Sequence, residues 1–91
     1  MQDFRRLRVW RHATALALNT RRVVNRFPRG YAELKSQMVT SAESIVNTIV
    51  EGCGAATQRE FARFLDISIK SATELEGEYE LAHKYEITSP G

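Results

Sequence analysis

The sequence predicts an all-α protein, an antiparallel up-down helical bundle, and three observations carry that expectation. Apolar residues recur at spacings of three and four through most of the chain. No stretch sustains the two-residue alternation of a strand, and Pro28, Gly30, Gly52 and Gly54 fall where the helical periodicity stops. Short loops between long periodic segments favour antiparallel neighbours.

The first helix is expected from about Phe4 to Phe27, with Leu7, Trp10, Thr14, Ala17, Leu18 and Val24 along one side. Val9, Leu16 and Val23 form a second stripe, so the helix has two apolar contacts to make, one within the protomer and one against a neighbour. Pro28 and Gly30 end it. The second helix is expected from about Tyr31 to Glu51, with Leu34, Met38, Ser41, Ile45, Thr48 and Ile49 on one face and Val39, Ala42, Val46 and Val50 beside it. Such an all-round apolar surface places it centrally. Ser41, Ala42 and Ser44 permit close helix approach, and Gly52 and Gly54 are natural left-handed stops. Cys53 then reads as a small loop residue.

The third helix is expected at about residues 58–85. Thr57 followed by Glu60 forms a capping box, and Phe61, Leu65, Ser68, Ala72, Leu75, Tyr79 and Ala82 make a heptad seam flanked by Phe64, Ile67 and Ser71. The seam is small at its middle, so another helix should cross closely at Ser68 and Ala72. Thr88 to Gly91 reads as a turn leading into a further helix. Three helices are expected within the 91 residues.

Ninety-one residues make one small domain, whose limited core gains from self-association. No apolar run approaches the roughly 20 residues of a membrane span, and the charged N-terminus is unlike a signal peptide. One cysteine leaves neither an internal disulfide nor a cysteine metal site, and a reducing cytoplasm is expected. Charge is lopsided. Residues 1–29 carry eight arginines and one acid, whereas residues 30–91 carry five basic and ten acidic side chains. A lysine-free arginine segment fits phosphate oxygens, or it pairs with the acidic segment within or between protomers.

Several motifs in order carry a specific resemblance. They are Leu7-Arg8-Val9-Trp10, Phe27-Pro28, Gln37, the run from Ser44 to Gly52 (SIVNTIVEG), the run from Glu60 to Leu65 (EFARFL), and the run from Ser71 to Glu76 (SATELE). Together they resemble the bacterial four-helix-bundle family encoded in intervening sequences of large-subunit ribosomal RNA genes, sometimes labelled ribosomal proteins. The resemblance implies an up-down bundle assembling into a ring-shaped homopentamer, with no known catalytic activity. A related group serves diversity-generating retroelements, binding nucleic acid and a reverse transcriptase through a basic pentamer surface. This chain departs from the pattern at Val46, where the family usually has proline, at Ala55, where it usually has arginine, and in lacking the fourth helix after residue 91.

Asn47 and Glu51 stand one turn apart within the family signature, and the favoured reading is a structural polar clamp that fixes helix register, set against a ligand site. Glu76, Glu80 and His83 could project together, and Glu80 with His83 has the Glu-x-x-His spacing of di-iron bundles. A di-iron centre needs a second such motif, and the chain has one, so a solvated acidic helix end is preferred. His12 reads as a surface residue beside Arg8 and Arg11. No phosphate loop, nucleophile elbow or paired Cys/His set appears, and Cys53 follows a helix C-terminus, where the dipole disfavours a thiolate. The expected function is therefore non-enzymatic and cofactor-free: a homo-oligomer that offers Arg5, Arg8, Arg11, Arg22 and Arg26 to RNA or DNA phosphates. A protein-interaction scaffold, or a reverse-transcriptase accessory without direct nucleic-acid contact, is the alternative. Arg8, Arg11, Arg22 and Arg26 form two local clusters that spacing alone does not place on one face.

Overall fold

Helix α2 (Ala32–Cys53) is the element on which the others pack. Helix α1 (Arg8–Asn25) lies along one side of it and α3 (Gln58–Lys84) along another, with a short 3-10 turn (Phe4–Arg6) ahead of α1. The computed structural model describes residues 3–87, among which there is no strand, so the all-α bundle expected from periodicity is the fold. The turn expected at residues 88–91 lies outside the described residues. The core is small and shared by all three helices: Ala13 and Val24 from α1, Leu34, Met38, Ala42, Ile45 and Ile49 from α2, and Leu75 and Ala82 from α3, closed at the α1–α2 loop by Phe27. Met38 is fully buried.

Two helix boundaries differ from the sequence reading, each for a local reason. The first helix does not begin at Phe4. The Asp3 carboxylate accepts a hydrogen bond from the Arg5 N–H at 3.1 Å, closing a 3-10 turn, and Leu7 is extended at φ −77° and ψ 127°. That extension lets Leu7 lean on the core while the Phe4 ring meets Trp10 edge-on, with centroids 5.4 Å apart. An early cap and two apolar contacts thus outweigh continuation of the helical pattern.

The second helix runs past Glu51. Gly52 is inside it, Cys53 is its last residue and is buried, and Gly54 closes it at φ −92°, outside the left-handed region. Gly52 is there for space instead: a Cβ added to it would lie 3.3 Å from the Phe64 Cβ and 3.4 Å from the Phe61 Cδ1. Glycine lets α2 and α3 converge at this end. The left-handed glycine is Gly30, at φ 103°, where the chain turns from α1 into α2 after Pro28.

At the start of α3 the Thr57 hydroxyl accepts from the Glu60 N–H at 3.1 Å, as the capping box requires. The heptad seam divides. Ser68, Leu75 and Ala82, with the flanking Ser71, are buried, whereas Leu65 and Ala72 stay exposed and Phe61, 36% exposed, sets its ring against Gly52 of α2. Close crossing is real at Ser68 and absent at Ala72.

Candidate nucleic-acid interface on the first helix

Because α1 is unbroken from Arg8 to Asn25 and Arg26 keeps helical backbone angles as its cap, the two arginine clusters are locked in one register. At about 100° per residue, Arg8, Arg11, Arg22 and Arg26 fall within about 60° of one another, with Ala15 and Asn19 between the pairs. All six are exposed. The buried residues of α1, Ala13, Thr20 and Val24, lie on the opposite side of the wheel. The four arginines therefore form one straight line on the face away from the core, spanning about 27 Å at about 1.5 Å rise per residue.

None of these four makes an ion pair among the described residues. Arg5 and Arg21 differ in that respect. Arg5 sits in the 3-10 turn and not on α1; its guanidinium is 3.5 Å from the Asp3 carboxylate and 4.6 Å from the centroid of the Phe4 ring. Arg21 crosses to α2, where it meets Glu43 at 3.0 Å. Thus, of the two sequence readings of the basic segment, acid pairing describes Arg5 and Arg21 within the protomer, and Arg8, Arg11, Arg22 and Arg26 remain free of it. His12 is exposed beside Arg8.

Asn47 and Glu51 are both exposed, and among the described residues neither side chain takes part in a hydrogen bond. Asn47 instead lines a shallow groove between α1 and α2 with Thr14, Ala17, Leu18, Arg21, Glu43 and Val46. Apart from the Arg21–Glu43 ion pair, the side-chain polar contacts that cross between helices involve hydroxyls. Thr20 of α1 and Tyr79 of α3 share a hydrogen bond of 2.8 Å. Ser44 and Ser71 share another of 2.8 Å, and Thr48 pairs closely with Ser68 while also donating to the Ser44 carbonyl at 2.7 Å. Small residues at Ser41, Ala42 and Ser44 hinted at close approach; the pairing itself had no sequence signal.

Glu78 is the one acid drawn into this seam. Its Oε2 accepts from the Ser41 hydroxyl at 3.2 Å, and its Oε1 is buried without a partner among the described residues. Burial holds this carboxyl above its ordinary pKa, the Ser41 hydrogen bond opposes that, and neighbouring Glu74 adds to it. Glu76, Glu80 and His83 are exposed on α3, and among the described residues no three His, Cys, Asp or Glu side chains are grouped to hold a metal ion. Nor is any helix long and apolar enough to cross a membrane.

No curated protein and no solved structure matches the chain. The sequence model of one family does, over residues 5–90, which takes in α1, α2 and α3 with both connecting loops. On that match, and on the all-helical fold that agrees with it, the chain belongs to the 23S rRNA-intervening sequence protein family.

Proposed function

We propose that this is a non-enzymatic, cytoplasmic, self-associating helical-bundle protein that binds nucleic-acid phosphates through the arginine line of α1. The observation that carries the reading is the alignment of Arg8, Arg11, Arg22 and Arg26 on one exposed face without acidic partners. Guanidinium groups held this way present forked donors to phosphate oxygens while leaving base identity unread. Self-association, with a pentamer as the expected form, is supported by apolar side chains left exposed on α1 and α3. They are Val9 (55% exposed), Leu16, Leu65 and Ile69 (65% exposed).

A salt titration tests it. Each phosphate neutralised adds about −0.9 to the slope of log affinity against log salt, so four contacts predict about −3.6, or about 150-fold weaker binding from about 50 to about 200 mM salt. Reversing two charges, Arg11→Glu with Arg22→Glu, should cut the slope to about −1.8 or less. Unchanged affinity and slope in that variant would remove α1 from the interface.

The exposed apolar flank also favours a second reading, a scaffold for protein partners such as a reverse transcriptase. On that reading the arginine reversals lower the oligomer mass in light scattering and nucleic acid is not bound at any salt concentration.

A further inference from the structure

We infer that the groove between α1 and α2 seats a second copy of this chain, which lays the exposed apolar ridge of its α3 into it; this rests on the self-association reading above. The floor of the groove is Ala17, Leu18 and Val46, with Leu18 54% exposed. Its volume of about 470 Å³ is that of a cleft able to receive a ligand or a segment of chain. The rim is polar and charged: Arg21 and Glu43 meet across it at 3.0 Å, with Asn47 exposed beside them. An apolar floor under a polar rim is the form in which a groove receives the apolar face of a helix.

The chain carries a complement to this groove. On α3, Ala62, Leu65, Ile69 and Ala72 are all exposed, and at about 100° per residue they fall within about 80° of one another. Asp66 and Lys70 run along one edge of that ridge, both exposed and neither in an ion pair among the described residues. With this edge against the rim, Asp66 comes to Arg21 and Lys70 to Glu43, so that four charges alternate in sign.

The other exposed apolar strip, Val9 and Leu16 of α1, lacks this match. Helix α1 has no acidic residue from Arg8 to Asn25, and Arg11 and Arg22 stand within about 40° of Leu18 on its wheel. Seating one α1 on another therefore sets arginine against arginine, which opposes the contact. The groove is lined by α1 and α2 alone, whereas the ridge belongs to α3. The two surfaces are different patches of one protomer, and the contact is heterologous: each copy seats one neighbour and is seated in another. A contact of this kind repeats until it closes into a ring or runs on as a filament.

Crosslinking and light scattering on the full chain test it. Leu18→Cys and Ile69→Cys, each made with Cys53→Ala, are refolded together from urea and treated with a short bis-maleimide; both positions are exposed, so neither change disturbs the core. The mixture should give a covalent dimer and each protein alone should give none. In light scattering, the ridge swap Asp66→Lys/Lys70→Glu should lower the oligomer mass, and so should the groove swap Arg21→Glu/Glu43→Arg, which preserves an ion pair within the protomer. Combining the two swaps should restore the mass. A wild-type chain that stays monomeric at every concentration would overturn the self-association reading and this inference with it. An oligomer whose mixture does not crosslink would overturn the groove as the seat while leaving self-association intact. Crosslinking of Ile69→Cys alone would show ridge against ridge, and a mass that no swap changes would remove the charge match; either result overturns the proposed contact.

Discussion

Two glycines on packed helices, changed to the same residue, should move stability in opposite directions. Gly77 lies within α3 with nothing within 4 Å of where a Cβ would be, so Gly77→Ala adds no contact and removes the entropic cost of a helical glycine. The gain should approach about 0.8–1 kcal/mol, a rise in Tm of roughly 4–8 °C for a domain of this size. Gly52→Ala would gain part of the same propensity term, reduced because Gly52 is in the last turn of α2. Against that gain stands a Cβ placed 3.3 Å from the Phe64 Cβ and 3.4 Å from the Phe61 ring.

The two neighbours do not yield equally. Phe61 is 36% exposed, and its ring can swing outward. The Phe64 Cβ is bound to the α3 backbone, so relieving that contact means moving the helices apart by a few tenths of an ångström. Thr48 and Ser68, about one turn of α2 away, are hydrogen-bonded across the same interface and resist the movement. Overpacking of this kind costs about 1–3 kcal/mol, which exceeds the propensity gain and leaves Gly52→Ala less stable than wild type by roughly 1 kcal/mol. The assay is thermal unfolding followed by far-UV circular dichroism, with all three proteins at one concentration because the proposed self-association would make Tm concentration-dependent. A Gly52→Ala protein that melts at or above wild type would refute the close-approach argument.

Met38→Ala empties a fully buried site in the N-terminal half of α2 and should cost about 2–5 kcal/mol in urea unfolding, enough to unfold much of a chain this small. Thr48→Ala, Ser68→Ala and the double variant form a cycle whose coupling should be at least about 0.5 kcal/mol, since either single change removes the hydrogen bond between the helices and leaves the remaining hydroxyl only a backbone carbonyl of α2; additivity would show that the pair is incidental. For Glu78, whose pKa is raised in the fold, ionisation opposes folding. Its contribution is fully present below the ordinary carboxylate pKa and is lost as pH rises through the raised one. Glu78→Gln should therefore exceed wild-type stability at neutral pH by about 1 kcal/mol or less, with partial exposure screening the effect, and the advantage should shrink on acidification. A difference that is constant across pH would remove burial of the charge as its cause.

Periodicity was sufficient for the existence, order and type of all three helices, because each has an apolar face long enough to dominate its window. Boundaries were less legible. Leu7 continues the apolar pattern of α1 in sequence, yet a three-residue turn capped by Asp3 interrupts the backbone before Arg8. Gly52 looks like a stop by composition, and only the proximity of Phe61 and Phe64, brought in by α3, shows it to be a spacer within the helix. The arginines were legible as residues and as local pairs. Their alignment was not, since eleven residues separate Arg11 from Arg22, and a single break or extra residue in α1 would swing one pair by about 100° against the other. Asn47 and Glu51 drew notice as polar residues in an apolar helix, but they face outward; the seam between α2 and α3 is held by serines and threonines whose partners lie 20 or more residues away in sequence.

On the proposed function, the placement of these features would give α1 two separable duties. Its buried side rests mainly on α2, and its tie to α3 runs through the hydroxyls of Thr20 and Tyr79. A helix held so lightly would gain from a covering neighbour, and Val9 and Leu16 offer the apolar surface for one on the flank next to Thr20. On the wheel that flank is roughly a third of a turn from the arginine line. A partner seated on Val9 and Leu16 would thus brace α1 without masking Arg8, Arg11, Arg22 or Arg26. Repetition of the chain in a closed ring would also repeat the cationic line around the assembly. On that reading each copy would add phosphate contacts within one binding event, so avidity would rise with the number of lines that one nucleic acid can reach. Weak, sequence-blind contacts on a single protomer would then suffice, and a small protomer core that gains from neighbours would serve the same end: affinity gathered from copies.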